Sequence, residues 1–152
     1  MGVILRPVGR DDVNRLIGLD PGIAGLVAPN AVTLAQAAYE EGAYVFCIEA
    51  DGEIVGLMAL ADTREDGHLE PDDDPNCAYL WRLMVDAKHQ RTGYGRAAMH
   101  LAMGWARDRG LPRFVTSVVP DEEGNALPFY ERLGMARTGR IDDGEVELAL
   151  TL

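Results

Sequence analysis

Residues 77–119 read as strand, turn, helix, strand. The apolar run CAYLWRLMV (77–85) leads into a glycine-containing turn. GRAAMHLAMGWARDRG (95–110) follows, with apolar residues three to four apart and Gly110 at its end, and RFVTSVV (113–119) closes the unit. A helical crossover between two strands makes them parallel partners in one sheet. The surroundings read differently. AYVFCIEADGEIVGLMALAD (43–62) is two β-rich runs around Asp51-Gly52, the dipeptide that tight hairpin turns favour because both central residues need positive φ. ILRPV (4–8) and EVELALTL (145–152) read as strands. DDVNRLIGL (11–19), PNAVTLAQAAYEEG (29–42) and part of GNALPFYERLGM (124–135) read as helices, the second with Asn30 or Thr33 as its cap and Gly42 as its stop. The order β-α-α-β-β-β-α-β-α-β predicts an α/β fold: a mixed, mostly antiparallel sheet with one parallel pair and flanking helices. Residues 1–152 are expected to form one domain, being too few for two ordinary ones.

The turn DAKHQRTGYGRAAM (86–99) carries the chemistry. Gly93-Tyr94-Gly95-Arg96-Ala97-Ala98 fits G-x-G-x-x-A, but a dinucleotide fold starts its glycines at the strand end, and here Asp86 to Thr92 intervene. The ribose-binding acid is also misplaced: Asp108 comes early, inside the helix, and Asp121 lies beyond the next strand. A nucleoside-triphosphate loop needs Gly-Lys-Ser/Thr, and Gly95 is followed by Arg96-Ala97. What remains is a loop poor in Cβ atoms entering a helix N-terminus, where free amides and the helix dipole suit a diphosphate. Arg91, Arg96 and Lys88 offer further phosphate charge.

A net charge of −11 argues against nucleic acid as a partner; it either serves solubility alone or attracts a cationic small molecule. The densest acidic stretch, GHLEPDDDPN (67–76), reads as a loop, either a solvated linker or a lip that collects polycations. No run is long and apolar enough to span a bilayer, and acidic residues come too early for a secretory signal, so the cytoplasm is the expected location. Cys47 and Cys77 are expected as free thiols, and no Cys/His spacing suggests a metal site.

Gln90-Arg91-Thr92-Gly93-Tyr94-Gly95 resembles the Gln/Arg-x-x-Gly-x-Gly/Ala acyl-CoA loop of the GNAT superfamily of N-acetyltransferases. LMVDAKHQ before it resembles that family's fourth strand, and SVVPDEEGNALPFYERLGM (117–135) resembles its fifth strand followed by Asn, Phe-Tyr and Leu-Gly-Met. LVAPNAVTLAQAAYE (26–40), YLWRLMVD (79–86) and RTGRIDDGEVELAL (137–150) further resemble the bacterial diamine and spermine/spermidine acetyltransferase subgroup.

The resemblance implies acetyl-CoA as donor, direct transfer to a small cationic amine such as a polyamine, and a homodimer paired through the C-terminal strands. It implies strands four and five splayed around the cofactor, held by Leu83, Met84, Val85, the turn residues Gln90 to Arg96, and Asn125. Tyr130 matches the family's tyrosine that protonates the departing sulfur; an ordinary pKa near 10 leaves it neutral. Histone-acetylating relatives place a glutamate six residues before the valine of strand four, and Tyr79 stands there. The base is therefore open: Tyr79, water leading to Glu49, Asp62 or Glu70, or bulk water. Arg82, a charge in an apolar strand, is expected to pair with an acid. His68, His89 and His100 are isolated in the sequence, and none is placed as a base. Acetylation of a peptide, amino acid or aminoglycoside amine, or acyl-CoA binding without catalysis, are the alternatives.

Overall fold

The computed structural model describes residues 2–22, 27–120 and 124–152; Leu26, Asp121, Glu122 and Glu123 of the stretches above lie outside the described residues. Seven strands, β1 (Val3–Pro7), β2 (Ala43–Ala50), β3 (Glu53–Asp62), β4 (Ala78–Val85), β5 (Arg113–Val118), β6 (Ala136–Asp142) and β7 (Glu145–Thr151), form one sheet in the order β1-β2-β3-β4-β5-β7-β6. Every neighbouring pair is antiparallel except β4 and β5. The helices are α1 (Val13–Ile17), α2 (Asn30–Ala37), α3 (Tyr94–Asp108) and α4 (Leu127–Arg132).

The β2–β3 turn is built as its dipeptide demands, with φ of 50° at Asp51 and 83° at Gly52. Side chains alternate across the sheet. Met58, Leu60, Phe114, Val118 and Leu148 pack with Ala98, Met99, Ala102 and Met103 of α3 in the main core. Cys47, Leu57 and Met84 face the other way, onto Leu16 and Leu19. Both cysteines are free and buried; burial pushes their thiols up to about 11 for Cys47 and about 12 for Cys77.

Three expectations are corrected. β6 was not expected: six of its seven residues are exposed and Gly139 has φ +94°, so an edge strand with one neighbour shows no apolar alternation. Helix α2 ends at Ala37 rather than at Gly42, which has φ +75° in the approach to β2. Its N-cap is Pro29; Asn30 Nδ2 instead donates to the Leu16 carbonyl at 2.8 Å, and Thr33 is buried within the helix.

Candidate active site

β4 and β5 are paired over only three residues, Ala78↔Phe114, Tyr79↔Val115 and Leu80↔Thr116. Beyond Leu80 and Thr116 they part, while β4 stays bonded to β3 through Val85↔Gly56 and β5 to β7 through Val118↔Val146. Each half of the sheet keeps one partner, so the gap passes through the sheet as a cleft of about 380 Å³. Trp81, Arg82 and Leu83 line one wall and Ser117, Val118 and Val119 the other. The β3–β4 register shifts at this point: Ala59 pairs Arg82 and Leu60 pairs Leu80, leaving Trp81 as an extra residue. Thr116, buried at the fork, donates its hydroxyl to the Leu80 carbonyl at 3.0 Å.

Tyr130 enters this cleft from α4. Its ring is buried beside Phe129, with centroids 5.2 Å apart, and its phenol lies beside the Thr116 hydroxyl. Burial raises its pKa well above the ordinary 10.0, so the phenol keeps its proton at neutral pH. Asn125, also on the cleft, accepts the Leu127 amide on Oδ1 at 3.0 Å and so starts α4.

The glycine turn sits at the open end of β4. Gly93 has φ +89° and is the N-cap of α3, with no side-chain cap. Tyr94, Gly95 and Arg96 are the first helical residues, whose amides have no partner within the helix. Arg91, at φ +61°, and Arg96 are exposed and carry no salt bridge among the described residues. Lys88 lies 3.8 Å from Glu53. Gln90 Nε2 donates to the carbonyls of Val85 (2.8 Å) and Pro21 (3.1 Å), and the Thr92 hydroxyl donates to the His89 carbonyl. These two side chains build the turn. Of the strand residues, Leu83 lines the cleft, Val85 packs on the main core, and Met84 turns its side chain to the opposite core.

Tyr79 lies on the sheet face opposite α3, in a second cleft of about 250 Å³ with Asp66, Asp142 and Glu147. Ser117 lines both clefts and stands beside the Tyr79 phenol. Burial, above all, raises Tyr79 above the ordinary 10.0; Glu145 and Glu147 add to the rise and Arg82 opposes it. Glu145 lines the main cleft and has no side-chain partner among the described residues. Nothing local marks Glu145 or Ser117 in the sequence; the β5–β7 pairing brings them here.

Other expectations fail on geometry. Arg82 has no acidic partner among the described residues: Nη1 donates to the Trp81 carbonyl at 2.8 Å, the guanidinium lies 5.5 Å from the Trp81 ring, and Nε is buried without a partner. The acidic loop is not a free lip, since Asp73 is bound by Arg140 at 2.8 Å and Asp74 by Arg113 at 2.9 Å. Glu49 is held by Arg6 at 2.8 Å, and Asp62 by Arg64 at 2.8 Å and Arg109 at 3.0 Å. Glu70 lines neither cleft.

The geometry has relatives. By TM-score 0.79 and 19% identity, over 99% of this chain and 95% of the other, it is similar to an aminoglycoside acetyltransferase in complex with coenzyme A. It is also similar to the PaiA N-acetyltransferase from Thermoplasma acidophilum in complex with coenzyme A, with TM-score 0.71 and 15% identity over 100% of both chains. In sequence, N-acetyltransferase family 8 member 2 of Rattus norvegicus is 28% identical over 91 residues, 60% of this chain; the chain spans 38% of that relative's length. Among the described residues no helix is long and apolar enough to cross a membrane. The sequence model of the acetyltransferase (GNAT) family matches residues 15–135, and the chain belongs to that family.

Proposed function

We propose that the chain is an acetyl-CoA-dependent N-acetyltransferase acting in the cytoplasm, which transfers the acetyl group directly to a small cationic amine such as a polyamine. One observation carries this reading: β4 and β5 part at Leu80 and Thr116, and the opening leads to a buried, protonated Tyr130.

The residues fit an acyl-CoA. The free amides at the start of α3, with Arg91 and Arg96, receive the diphosphate; Gln90, Thr92 and Gly93 hold the turn open. The cleft-side backbone of Leu83 has no strand beside it and takes the pantetheine arm as a further strand would; the Met84 carbonyl faces Gly56 of β3, and the Val85 carbonyl is already bonded to Gln90. Tyr94, at the first helical position, and Asn125 border this path. Bound there, acetyl-CoA supplies an activated acyl group with a thiolate leaving group. A main-chain amide of this stretch polarises the acyl oxygen, and Tyr130 gives its proton to the departing sulfur. Carboxylates on the opposite face, Glu145 and Glu147 beside Tyr79, favour an acceptor that arrives as an ammonium. The exposed edge of β6, with Ile141 70% exposed, supports a homodimer paired through the C-terminal strands.

Calorimetry with acetyl-CoA and thiol release with an amine panel test the reading. Tyr130→Phe is expected to lower turnover by about 10²–10⁴-fold while acetyl-CoA still binds. Unchanged turnover removes Tyr130 from its role; no heat from acetyl-CoA overturns the whole assignment.

A further inference from the structure

An amine that arrives as an ammonium sheds a proton when it is acylated, so a group near the fork must receive it. The carboxylates nearest at hand in the sequence are otherwise engaged: Glu49 by Arg6, and fully buried Asp62 by Arg64 and Arg109. Tyr79 is held protonated by burial, which makes its phenol a hydrogen-bond partner and a poor resting base. Glu145 differs from all of these. It is the first residue of β7, one step beyond the Val118↔Val146 pair, on the same face as Tyr79 and Ser117. It is half-buried, lines the cleft that holds Tyr130, and has no counter-charge of its own among the described residues.

Resting on the function proposed above, we infer that Glu145 anchors the acceptor's ammonium and takes the first proton that its nitrogen loses. The nitrogen lone pair forms the bond to the acyl carbon, and the carbon–sulfur bond breaks. One ammonium proton passes to Glu145 and on to water before that attack; the departing thiolate then takes the proton of Tyr130, and the second proton lost by the nitrogen restores the Tyr130 phenol. The products are the amide and free coenzyme A thiol, and no co-reactant is needed. Around Glu145 lie the neutral Tyr79 phenol, Arg82 of β4 on the same cleft, Asp142 across the β6–β7 pair, and Glu147 on its own strand. Glu147 is itself engaged, accepting from Thr138 at 2.9 Å and lying 3.5 Å from Arg140. Arg82 opposes this acidic field at Tyr79.

The test is steady-state thiol release with spermidine at saturating acetyl-CoA for the wild-type chain, Glu145→Gln and Glu145→Asp, with acetyl-CoA affinity measured by calorimetry. At pH 7.5, Glu145→Gln should lower kcat/KM for spermidine by about 100-fold or more, leave acetyl-CoA affinity within twofold, and be partly rescued by Glu145→Asp. Above about pH 10, where an alkyl amine is neutral unaided, the Gln variant should approach the wild type. A Gln variant within twofold of wild type at pH 7.5, or a deficit that persists undiminished at high pH, overturns the role of Glu145 alone. A wild-type chain that binds acetyl-CoA but releases no thiol with any amine overturns the transferase reading as well.

Discussion

Two glycines should answer the same substitution with opposite signs. Gly56 lies in β3 where that strand carries the free end of β4, and a Cβ built on it would sit 2.3 Å from the Met84 carbonyl oxygen, 3.1 Å from Ile48 Cδ1 and 3.2 Å from Val85 Cα. Carbon–oxygen contacts between strands settle at about 3.3–3.6 Å, so β4 must retreat by about 1 Å. The obstacle is backbone and cannot rotate away. Overpacking costs about 1–3 kcal/mol, and each ladder bond that is stretched adds up to about 1 kcal/mol. A loss of about 3 kcal/mol lowers the melting temperature of a chain this size by about 6–12 °C. Gly104, in the interior of α3, has nothing within 4 Å of its would-be Cβ. There Gly→Ala removes unfolded-state entropy and should add about 0.5–1 kcal/mol. Calorimetric melting of both variants checks the pair. Gly56→Ala melting within 2 °C of wild type would refute the steric reasoning, as would a Gly104→Ala variant that melts lower.

In the glycine turn, Gly93→Ala forces a side chain onto φ +89°, at a cost of about 1–2 kcal/mol, and should weaken acetyl-CoA binding in calorimetry. Gly95→Ala places its Cβ 3.6 Å from Phe129 and 3.8 Å from Val85, ordinary contacts, and should leave the melting temperature within about 2 °C of wild type. Asp62 is held below its ordinary 3.8, first by its hydrogen bond from Arg64 and then by Arg109, against the cost of burial. Its stabilising contribution is complete above pH 3.8 and fades as pH falls through the lowered value. Asp62→Asn should cost about 1–2 kcal/mol at pH 7, because its arginine partners are partly screened by water. Denaturant melts should show wild type and variant converging as the pH is lowered towards 2, and a gap that stays constant would remove the charge from the explanation.

The elements legible in the sequence are those fixed by neighbours along the chain. The hairpin at Asp51-Gly52, the crossover from β4 to β5 and the glycine cap of α3 rest on local backbone demands. Tyr130 was legible through the family resemblance of its surrounding stretch. What stayed hidden is non-local. β6 is polar because it is an edge, and an edge strand carries no apolar alternation to find. The acidic loop looks free until the fold brings Arg113 to Asp74 and Arg140 to Asp73, partners 39 and 67 residues away. Glu145 and Tyr79 are 66 positions apart (145 − 79), and only the pairings of β5 with β4 and with β7 place both on one face. The cost of burying a charge predicts an acidic partner for Arg82, whereas the strand leaves it half open to the cleft.

The unmatched Trp81 has a consequence for every residue after it. Ahead of it, even-numbered Ala78 and Leu80 point into the main core; past it, odd-numbered Leu83 and Val85 do. Straightening the strand with Trp81 kept in the ladder would send Arg82 and Met84 into the apolar interior and turn Leu83 outward. Loss of Trp81 itself leaves the ladder continuous and the inward set unchanged, whereas loss of Met84 leaves Leu83 and Val85 adjacent and turns one of them away from the core.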